Sequence, residues 1–216
     1  MSDNLRSKVI RLAHQQPALR PHLLPLLAGG RTAAGVNVRG EHIREYAEVS
    51  GRAKVTDLAV LYDRAKVYDS ARVSDNAQVY DNAQVFESAG VTGDAGVSGR
   101  AHVYGFALVT GKAHVEGRAH VYDSAKVSDE ALVGGNAHVY GHAKVFDRAQ
   151  VLGNAHVYGF AEVYGFAEVY GDAQVGGNAR IGGNAVILGG TWDGSEGPVE
   201  GGTWKAPGVP ASWGAR

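Results

Sequence analysis

The chain has 216 residues, and its 21 lysines and arginines nearly balance 22 aspartates and glutamates, for a formal net charge of −1. Proteins that bind nucleic acid by neutralising phosphates usually have a basic excess, so this composition argues against that class. With no cysteine, the chain has no disulfide framework and no thiolate metal site. It also shows no signal-peptide pattern and no apolar run of transmembrane length. We therefore expect a soluble protein of undetermined compartment that binds neither nucleic acid nor membrane.

The first 30 residues have the pattern of short amphipathic helices. In residues 4–15 three apolar residues recur at helical spacing: Leu5, Val9 and Leu12. Residues 18–28 form a second helical pattern, which prolines interrupt and two glycines end. We expect residues 1–30 to be a helical cap or an attachment segment for a larger assembly, and residues 31–40 to be a linker or a first irregular strand.

A six-residue repeat follows. From Ala47 to Ala185 every sixth residue is alanine, and two places after each alanine stands Val, Leu or Ile. A unit this short cannot bury a core alone, so successive units must stack on one another. Strand alternation points the aliphatic residue inward and its two neighbours outward. The fourth residue after each alanine is Gly, Asp or, once, Glu, and the tolerance of Gly and Asp for left-handed backbone predicts a corner there.

The repeat has an aliphatic residue followed four places on by a small one, as in Val67 and Ala71 or Val121 and Ala125. In this the chain resembles the hexapeptide-repeat, left-handed parallel β-helix superfamily, over residues 41–190. The resemblance implies an all-β solenoid in which three hexads make one coil. The left hand is implied by the resemblance alone, because general crossover rules favour the opposite hand.

Counting hexads predicts a solenoid of about nine coils over residues 41–202 and a C-terminal cap or tail over residues 203–216. Continuing the alanine spacing places Thr191 in an alanine position and Asp193 in an aliphatic one, so we expect a degenerate last coil. Exposed strand edges at each end need covering. Six apolar residues are the candidates for this role: Leu5, Val9, Leu12, Trp192, Trp204 and Trp213. Oligomer packing or ligand stacking by the tryptophans stays open.

With uninterrupted hexads, residues three hexads apart lie above one another, and one of the three faces is rich in histidine and aromatic residues. We call it the His/Tyr face. Its histidine column is His102, His120, His138 and His156. Its aromatic column, with two phenylalanines of the adjoining corner, gives the candidate interface residues: Tyr68, Phe86, Tyr104, Phe106, Tyr122, Tyr140, Tyr158 and Phe160. Such columns are either ladders that support the sheet or an oligomer interface, for which the resemblance implies a three-fold trimer.

The resemblance also implies an enzymatic alternative. Many members of the superfamily are trimeric acyltransferases in which a histidine general base activates an acceptor for attack on acyl-coenzyme A. The candidate catalytic residues would be His102, His120, His138 and His156. Such enzymes typically carry a loop that interrupts the coils, and functional sites concentrate on loops. This chain has no interruption, and four near-equivalent histidines do not give the one distinctive environment that a general base needs.

Metal-dependent relatives use three histidines on zinc, two of them five residues apart. In this chain His138 and His142 are four apart, so we expect no dedicated metal site, and no cofactor. We also expect the stacked imidazoles to titrate as a coupled set with lowered pKa values.

The sequence thus favours a non-catalytic structural or interaction solenoid that forms homo-oligomers, with an acyltransferase as the alternative. Long arrays of this repeat with Gly-Gly-Thr-Trp tails resemble uncharacterised bacterial and phage-encoded hexapeptide-repeat proteins, so a virion or surface structure is a further implication of the resemblance.

Overall fold

The computed structural model describes residue 43, residues 46–207 and the strand residues 31–32, 37–38 and 209–210. This part of the chain is an all-β solenoid of about nine turns with three parallel sheets. No helix in it has the length and apolar character that a membrane span requires. The helices expected in residues 1–30 lie outside the described residues, and so do four candidate cap residues: Leu5, Val9, Leu12 and Trp213.

The first sheet has ten strands and carries the His/Tyr face. Its strands, in spatial order, are β1 (Arg31–Thr32), β3 (Glu48–Val49), β6 (Lys66–Val67), β9 (Gln84–Val85), β12 (His102–Val103), β15 (His120–Val121), β18 (His138–Val139), β21 (His156–Val157), β24 (Gln174–Val175) and β27 (Thr191–Trp192).

The second sheet has nine strands, and the third has ten. The second contains β2 (Asn37–Val38), β4 (Lys54–Val55), β7 (Arg72–Val73), β10 (Gly90–Val91), β13 (Leu108–Val109), β16 (Lys126–Val127), β19 (Lys144–Val145), β22 (Glu162–Val163) and β25 (Arg180–Ile181). The third contains β5 (Val60–Leu61), β8 (Gln78–Val79), β11 (Gly96–Val97), β14 (His114–Val115), β17 (Leu132–Val133), β20 (Gln150–Val151), β23 (Glu168–Val169), β26 (Val186–Ile187), β28 (Thr203–Ala206) and β29 (Val209–Pro210).

Each strand of the regular coils consists of the two residues that follow an alanine. Ala101 and Val103 are both fully buried, whereas His102 between them points outward and is half-buried. His102 pairs in parallel with His120, which occupies the same place three hexads later. The predicted coil of three hexads is therefore confirmed for the regular part of the solenoid, and its core is a continuous stack of alanine and aliphatic side chains.

The fourth residue after each alanine forms a left-handed corner, as the sequence predicts. All nine acidic residues in this position have a positive φ, between 53° and 61°. They are Asp57, Asp63, Asp69, Asp75, Asp81, Glu87, Asp123, Asp129 and Asp147. Glycine at the same position, as at Gly99 (φ 67°), adopts this conformation without a steric cost from a side chain.

The corner acids also join successive coils. The carboxylate of Asp81 accepts a hydrogen bond from the backbone N–H of Gly99 at 2.9 Å, and that of Glu87 accepts one from Gly105 at 2.8 Å. The other seven corner acids make the same contact one coil further on. These N–H groups donate to no backbone carbonyl in the described residues, so the acids satisfy donors that the strand ladder leaves open.

The last coil departs from the alanine spacing. Gln174 pairs with Thr191 and Val175 with Trp192, so this coil is one residue shorter than three hexads. Trp192 is 2% exposed and fills the aliphatic position, whereas Asp193 is exposed. The expected placement of Thr191 and Asp193 is therefore wrong. The shorter spacing buries a large apolar indole and keeps an ionised carboxylate in water, and both effects favour it.

Strands also occur outside residues 41–202. The strands β1 and β2 pair with β3 and β4, again with one residue fewer than three hexads, so residues 31–40, expected as a linker or a first irregular strand, contribute two strands. At the other end β28 and β29 lie in the expected tail, residues 203–216. The strand β28 pairs in parallel with β26 and antiparallel with β29, so β29 forms the edge of the third sheet.

Candidate interaction surface on the His/Tyr face

The first sheet brings the four candidate histidines into one column, because parallel pairing aligns His102 with His120, His120 with His138, and His138 with His156. The aromatic column lies beside it, since each of its residues follows the inward aliphatic residue of the same strand. All members of both columns are half-buried. The ten column residues proposed from the sequence therefore lie on one face.

The aromatic column is a stack of six rings. Tyr104 and Tyr122 have ring centroids 4.9 Å apart and planes within 2° of parallel, and Tyr122 and Tyr140 are stacked at the same distance. The same geometry continues upstream through Phe86 to Tyr68. At the downstream end Tyr140 and Tyr158 stack at 5.4 Å. The rings follow the coil spacing of about 4.8 Å that parallel strands impose.

The histidines form a second stack. The imidazole centroids of His120 and His138 lie 4.8 Å apart and those of His138 and His156 4.9 Å apart, with planes within 6° of parallel. His102 lies 4.8 Å from His120 but is turned by 62°. Adjacent rings at this spacing place charges close together, so protonation of one imidazole opposes protonation of the next.

The two stacks also contact each other, edge to face. The Tyr122 ring lies 6.2 Å from His138 at 89°, and the Tyr140 ring lies 6.2 Å from His156 at 87°. Each contact joins an aromatic ring to the histidine of the following coil. The ring faces are thus largely covered by neighbours within the chain, and the surface that remains consists of ring edges, phenol hydroxyls and imidazole nitrogens in rows.

Both ends of the aromatic stack have a distinct structure. The Tyr68 hydroxyl donates a hydrogen bond to Gln84 Oε1 at 3.1 Å. At the other end Gly176 replaces the next aromatic residue, and the Tyr158 ring occupies the space where a side chain of residue 176 would begin. A Cβ atom at Gly176 would overlap that ring, so glycine allows Tyr158 to fold over the end of the stack.

Exposed apolar rings line the adjoining corner, between the first and second sheets. Phe106 is 75% exposed and Phe160 is 65% exposed. His142 stacks on Phe160 with centroids 5.1 Å apart and planes 11° from parallel. We call Phe106, His142 and Phe160 the Phe corner. Ser124 lies between Phe106 and His142 in this row, so the stacked pair of His142 and Phe160 is the continuous part of it, and exposed apolar patches are typical of partner sites.

Burial and neighbouring charge change the titration of both columns. Burial lowers the pKa of His102, and burial together with the adjacent imidazoles lowers the pKa of His120 and His138. Burial first, then the neighbouring Tyr104 and Tyr140 and the carboxylate of Asp123, raises the pKa of Tyr122 to about 12. The predicted lowering of the pKa thus holds for His102, His120 and His138. The lowered pKa values of His102, His120 and His138 favour neutral imidazole, and the raised pKa of Tyr122 favours neutral phenol.

The other faces mix charged and polar residues with apolar ones, such as the stacked pair Phe146 and Tyr164. On the second face Glu162 forms ion pairs with Lys144 at 3.0 Å and with Arg180 at 3.4 Å. On the corner between the second and third faces lies a shallow depression of about 380 Å³, where Arg148 pairs with Glu130 at 2.8 Å. No group of three histidines or acidic residues in the described part of the chain is placed to hold a metal ion.

Two of the candidate cap residues pack together in the last coil. The rings of Trp192 and Trp204 meet edge to face at 6.3 Å. Each indole N–H donates to the carbonyl of the residue three places earlier, Gly189 and Gly201, at 2.9 and 2.8 Å. The repeated Gly-Gly-Thr-Trp string thus builds the same local motif twice, on the last strand of the first sheet and on β28. Their role as a cap stays a prediction.

Sequence reasoning missed two contributors to this surface. The first is Gly176. Its position three hexads after Tyr158, where the aromatic column would continue, is the sequence signal that could have identified it. The second is the corner carboxylate of Asp123, which lies one residue after Tyr122 and binds the N–H of Gly141 at 3.2 Å. Comparison of this chain with protein-family models, with curated proteins and with solved structures finds no match.

Proposed function

We propose that this chain is a structural or interaction solenoid without catalytic activity, and that it forms homo-oligomers through the His/Tyr face. The observation that carries the proposal is the pair of interlocked ladders beside the Phe corner. One face has two continuous columns of stacked aromatic and imidazole rings, whereas aromatic and aliphatic residues on the other two faces are interspersed with charged and polar ones. Aromatic residues are enriched at protein interfaces, and charged residues are depleted there.

The regularity of the coils supports a scaffold. From Glu48 to Ile187 two-residue strands and corners alternate without an inserted loop. Catalytic residues are found disproportionately on loops that a rigid scaffold positions. Here the rigid scaffold repeats one unit, and its side chains form rows instead of a convergent cluster.

The environment of the histidines disfavours the acyltransferase alternative. A general base needs a singular position with a hydrogen-bond partner that orients the ring. His120 and His138 instead each lie between two neighbouring imidazoles, 4.8 to 4.9 Å away, and against one tyrosine ring. The four salt bridges of the described residues include no histidine, so none of the four rings is paired with a carboxylate there.

Two adjoining patches favour a ring, and we propose a trimer. In a cyclic trimer each copy contacts its neighbours through two different patches, whereas a two-fold dimer uses one self-complementary patch. The His/Tyr face and the Phe corner meet along one edge of the prism and supply two such patches.

We also propose that the solenoid is left-handed and belongs to the hexapeptide-repeat superfamily. The coil of three hexads and the parallel pairing of successive coils support the assignment to the superfamily, and the left hand follows from that assignment. We likewise propose that the chain is part of a virion or of a bacterial surface structure. This proposal is supported by the resemblance of its long repeat array and Gly-Gly-Thr-Trp tail to bacterial and phage-encoded hexapeptide-repeat proteins.

A charge-insertion experiment tests the interface. Tyr122→Glu with Tyr140→Glu places two carboxylates in the aromatic column and should give single chains by light scattering, where the unmodified chain gives oligomers. Thr110→Glu with Ser128→Glu is the matched control, because it alters the same position of the hexad on the second face. Circular dichroism checks that both variants keep the fold. An unchanged mass for the tyrosine variant would remove the proposed interface.

The enzymatic alternative has its own test. Titration with acetyl-coenzyme A, followed by calorimetry, should show no saturable binding if the chain is a scaffold. Clear saturable affinity would favour the acyltransferase, and substitution of each of the four histidines in turn would then locate a general base.

A further inference from the structure

The histidine column holds four imidazoles close together without a balancing charge. Successive ring centroids lie 4.8 to 4.9 Å apart along the column. At that distance two positive charges repel appreciably, and more so where neighbouring rings exclude water. No histidine takes part in a salt bridge among the described residues. The column is thus well accommodated when neutral and becomes a row of uncompensated charge when protonated.

The charged groups around the column do not relieve this repulsion. At its upstream end Lys66 is paired with Glu48 at 3.4 Å, and Gln84 separates this pair from His102. Arg100 and Arg118 lie exposed on the corner that precedes His102 and His120, and they add positive charge. On the following corner the carboxylates of Glu87 and Asp123 are bound to backbone N–H groups.

The tyrosines that face the histidines stay neutral in the range where histidine titrates. Burial raises the pKa of Tyr104, Tyr122 and Tyr140, so none of these hydroxyls offers a negative charge near neutral pH. Their ring centroids lie 6.2 Å from those of His120, His138 and His156. The surroundings of the column therefore favour neutral imidazole, and a second copy placed over it would remove still more water from the rings.

We propose that the histidine column is a pH gate for self-association, such that the chain assembles through the His/Tyr face near neutral pH and separates under mildly acidic conditions. The gate rests on the proposed function of this face as the contact between copies. Histidine is the side chain suited to such a switch, because its charge changes between pH 5 and pH 8. Separation lets four imidazoles per chain regain water and take up protons.

The affinity should therefore depend steeply on pH. By linkage, each histidine that must lose a proton on assembly contributes up to about a tenfold change in the association constant per pH unit. Several coupled histidines give a transition sharper than that of one group. We expect the dissociation constant to rise more than about tenfold between about pH 8 and about pH 5.

Sedimentation velocity of the full chain at these two pH values tests the gate. The decisive variant carries His102→Gln, His120→Gln, His138→Gln and His156→Gln. Glutamine already stands in the same column at Gln84 and Gln174, so the replacement suits the column and removes its titration. His114→Gln is the matched control, because His114 is exposed on the third face and pairs with Gly96 and Leu132 rather than with another histidine.

The outcomes separate the gate from the proposed function. The unmodified chain and the His114 variant should assemble at the higher pH and separate at the lower one, and the dissociation constant of the fourfold variant should be the same at both. If the unmodified chain stays assembled at both pH values, the pH gate is overturned, whereas the proposed interface is not. Single chains at both values would overturn both proposals, and a fourfold variant that still separates in acid would place the gate elsewhere.

A second variant keeps the test decisive if the fourfold replacement does not fold. His138→Gln alone removes the ring that lies between two parallel-stacked neighbours. It should reduce the steepness of the pH dependence of association by the contribution of one proton. An unaltered pH dependence in this variant would overturn the gate.

Discussion

The carboxylate of Asp81 accepts a hydrogen bond from the backbone N–H of Gly99 at 2.9 Å, which joins two successive corners of the solenoid. Asp81 itself has a φ of 58°, a conformation that costs most side chains about 1–2 kcal/mol and that aspartate tolerates better than most residues. One residue thus forms the corner and also satisfies a backbone donor of the next coil. The same contact recurs at all nine acidic corners.

Replacing Asp81 by alanine should destabilise the solenoid by about 2 kcal/mol, because the variant loses the hydrogen bond and places a β-carbon without local support in left-handed backbone. The midpoint of urea unfolding measures the effect. Asp81→Asn is the control, since asparagine also tolerates this conformation and its side-chain oxygen can accept the same bond. Equal midpoints for the alanine and asparagine variants would contradict the assigned role.

Trp192→Ala should be among the most damaging single substitutions at the C-terminal end. The indole is 2% exposed and occupies the core position over Val175, and truncating a buried tryptophan typically costs about 3–5 kcal/mol. Unfolding followed by circular dichroism gives the loss. Trp204→Ala, which truncates a partly buried ring, should cost less. A loss below about 0.5 kcal/mol at position 192 would be typical of a surface residue and would contradict the shortened spacing of the last coil.

Gly176→Ala should break the end of the aromatic stack. A Cβ atom there overlaps the ring of Tyr158, so Tyr158 must leave its place against Tyr140, and the loss of one stacked pair is worth about 0.5–1.5 kcal/mol. Near-ultraviolet circular dichroism reports the displaced tyrosine. Gly201→Ala is the matched control, because a Cβ at Gly201 meets nothing within 4 Å. Identical spectra for the two variants would show that Tyr158 does not depend on Gly176.

The stability of the fold should fall on the acid side of neutrality. The pKa values of His102, His120 and His138 are lowered from 6.5 in the folded chain, so the unfolded chain takes up protons first as the pH decreases. The contribution of the neutral histidines to the free energy of unfolding is complete above pH 6.5 and is lost as the pH falls through their lowered pKa values. Urea midpoints measured across this range check it, and the fourfold glutamine variant should show a flatter dependence. Equal slopes would remove the histidines as the cause.

The tyrosine column should make the fold less stable at alkaline pH. The pKa of Tyr122 is raised from 10.0 to about 12, so the folded chain holds its phenol proton after the unfolded chain has released it. This contribution is complete below pH 10 and is lost as the pH rises toward 12. Absorbance titration of the phenolate should therefore show Tyr122 ionising later than an exposed tyrosine.

The regular part of the fold follows from the sequence because one unbroken spacing sets every position. Ala101 and Val103 are buried and His102 faces outward because of their positions in the hexad, and the corresponding residues of the other coils are placed in the same way. Asp81 marks a corner by its preference for left-handed backbone. The columns of the His/Tyr face then follow from counting three hexads at a time, and the stacking distances follow from the spacing between strands.

The two ends of the solenoid could not be predicted from the repeat, because there the number of residues per coil changes. Between Ile187 and Trp192 the inward positions are one residue closer than in a regular hexad, and only the balance between burying an indole and burying Asp193 decides which residue turns inward. The contact between Asp81 and Gly99 was also missed, since preference for a corner says nothing about which donor the side chain reaches. The position of the Tyr158 ring over Gly176 was missed as well, because it depends on the side-chain conformation of Tyr158.

The mass of the unmodified chain in solution tests the central claim most directly. Light scattering at about pH 8, where histidine is neutral, should give about three times the chain mass of 22.6 kDa, with dissociation only on dilution. A mass of 22.6 kDa at every concentration would contradict the account, because the His/Tyr face and the Phe corner would then have no second copy to bind.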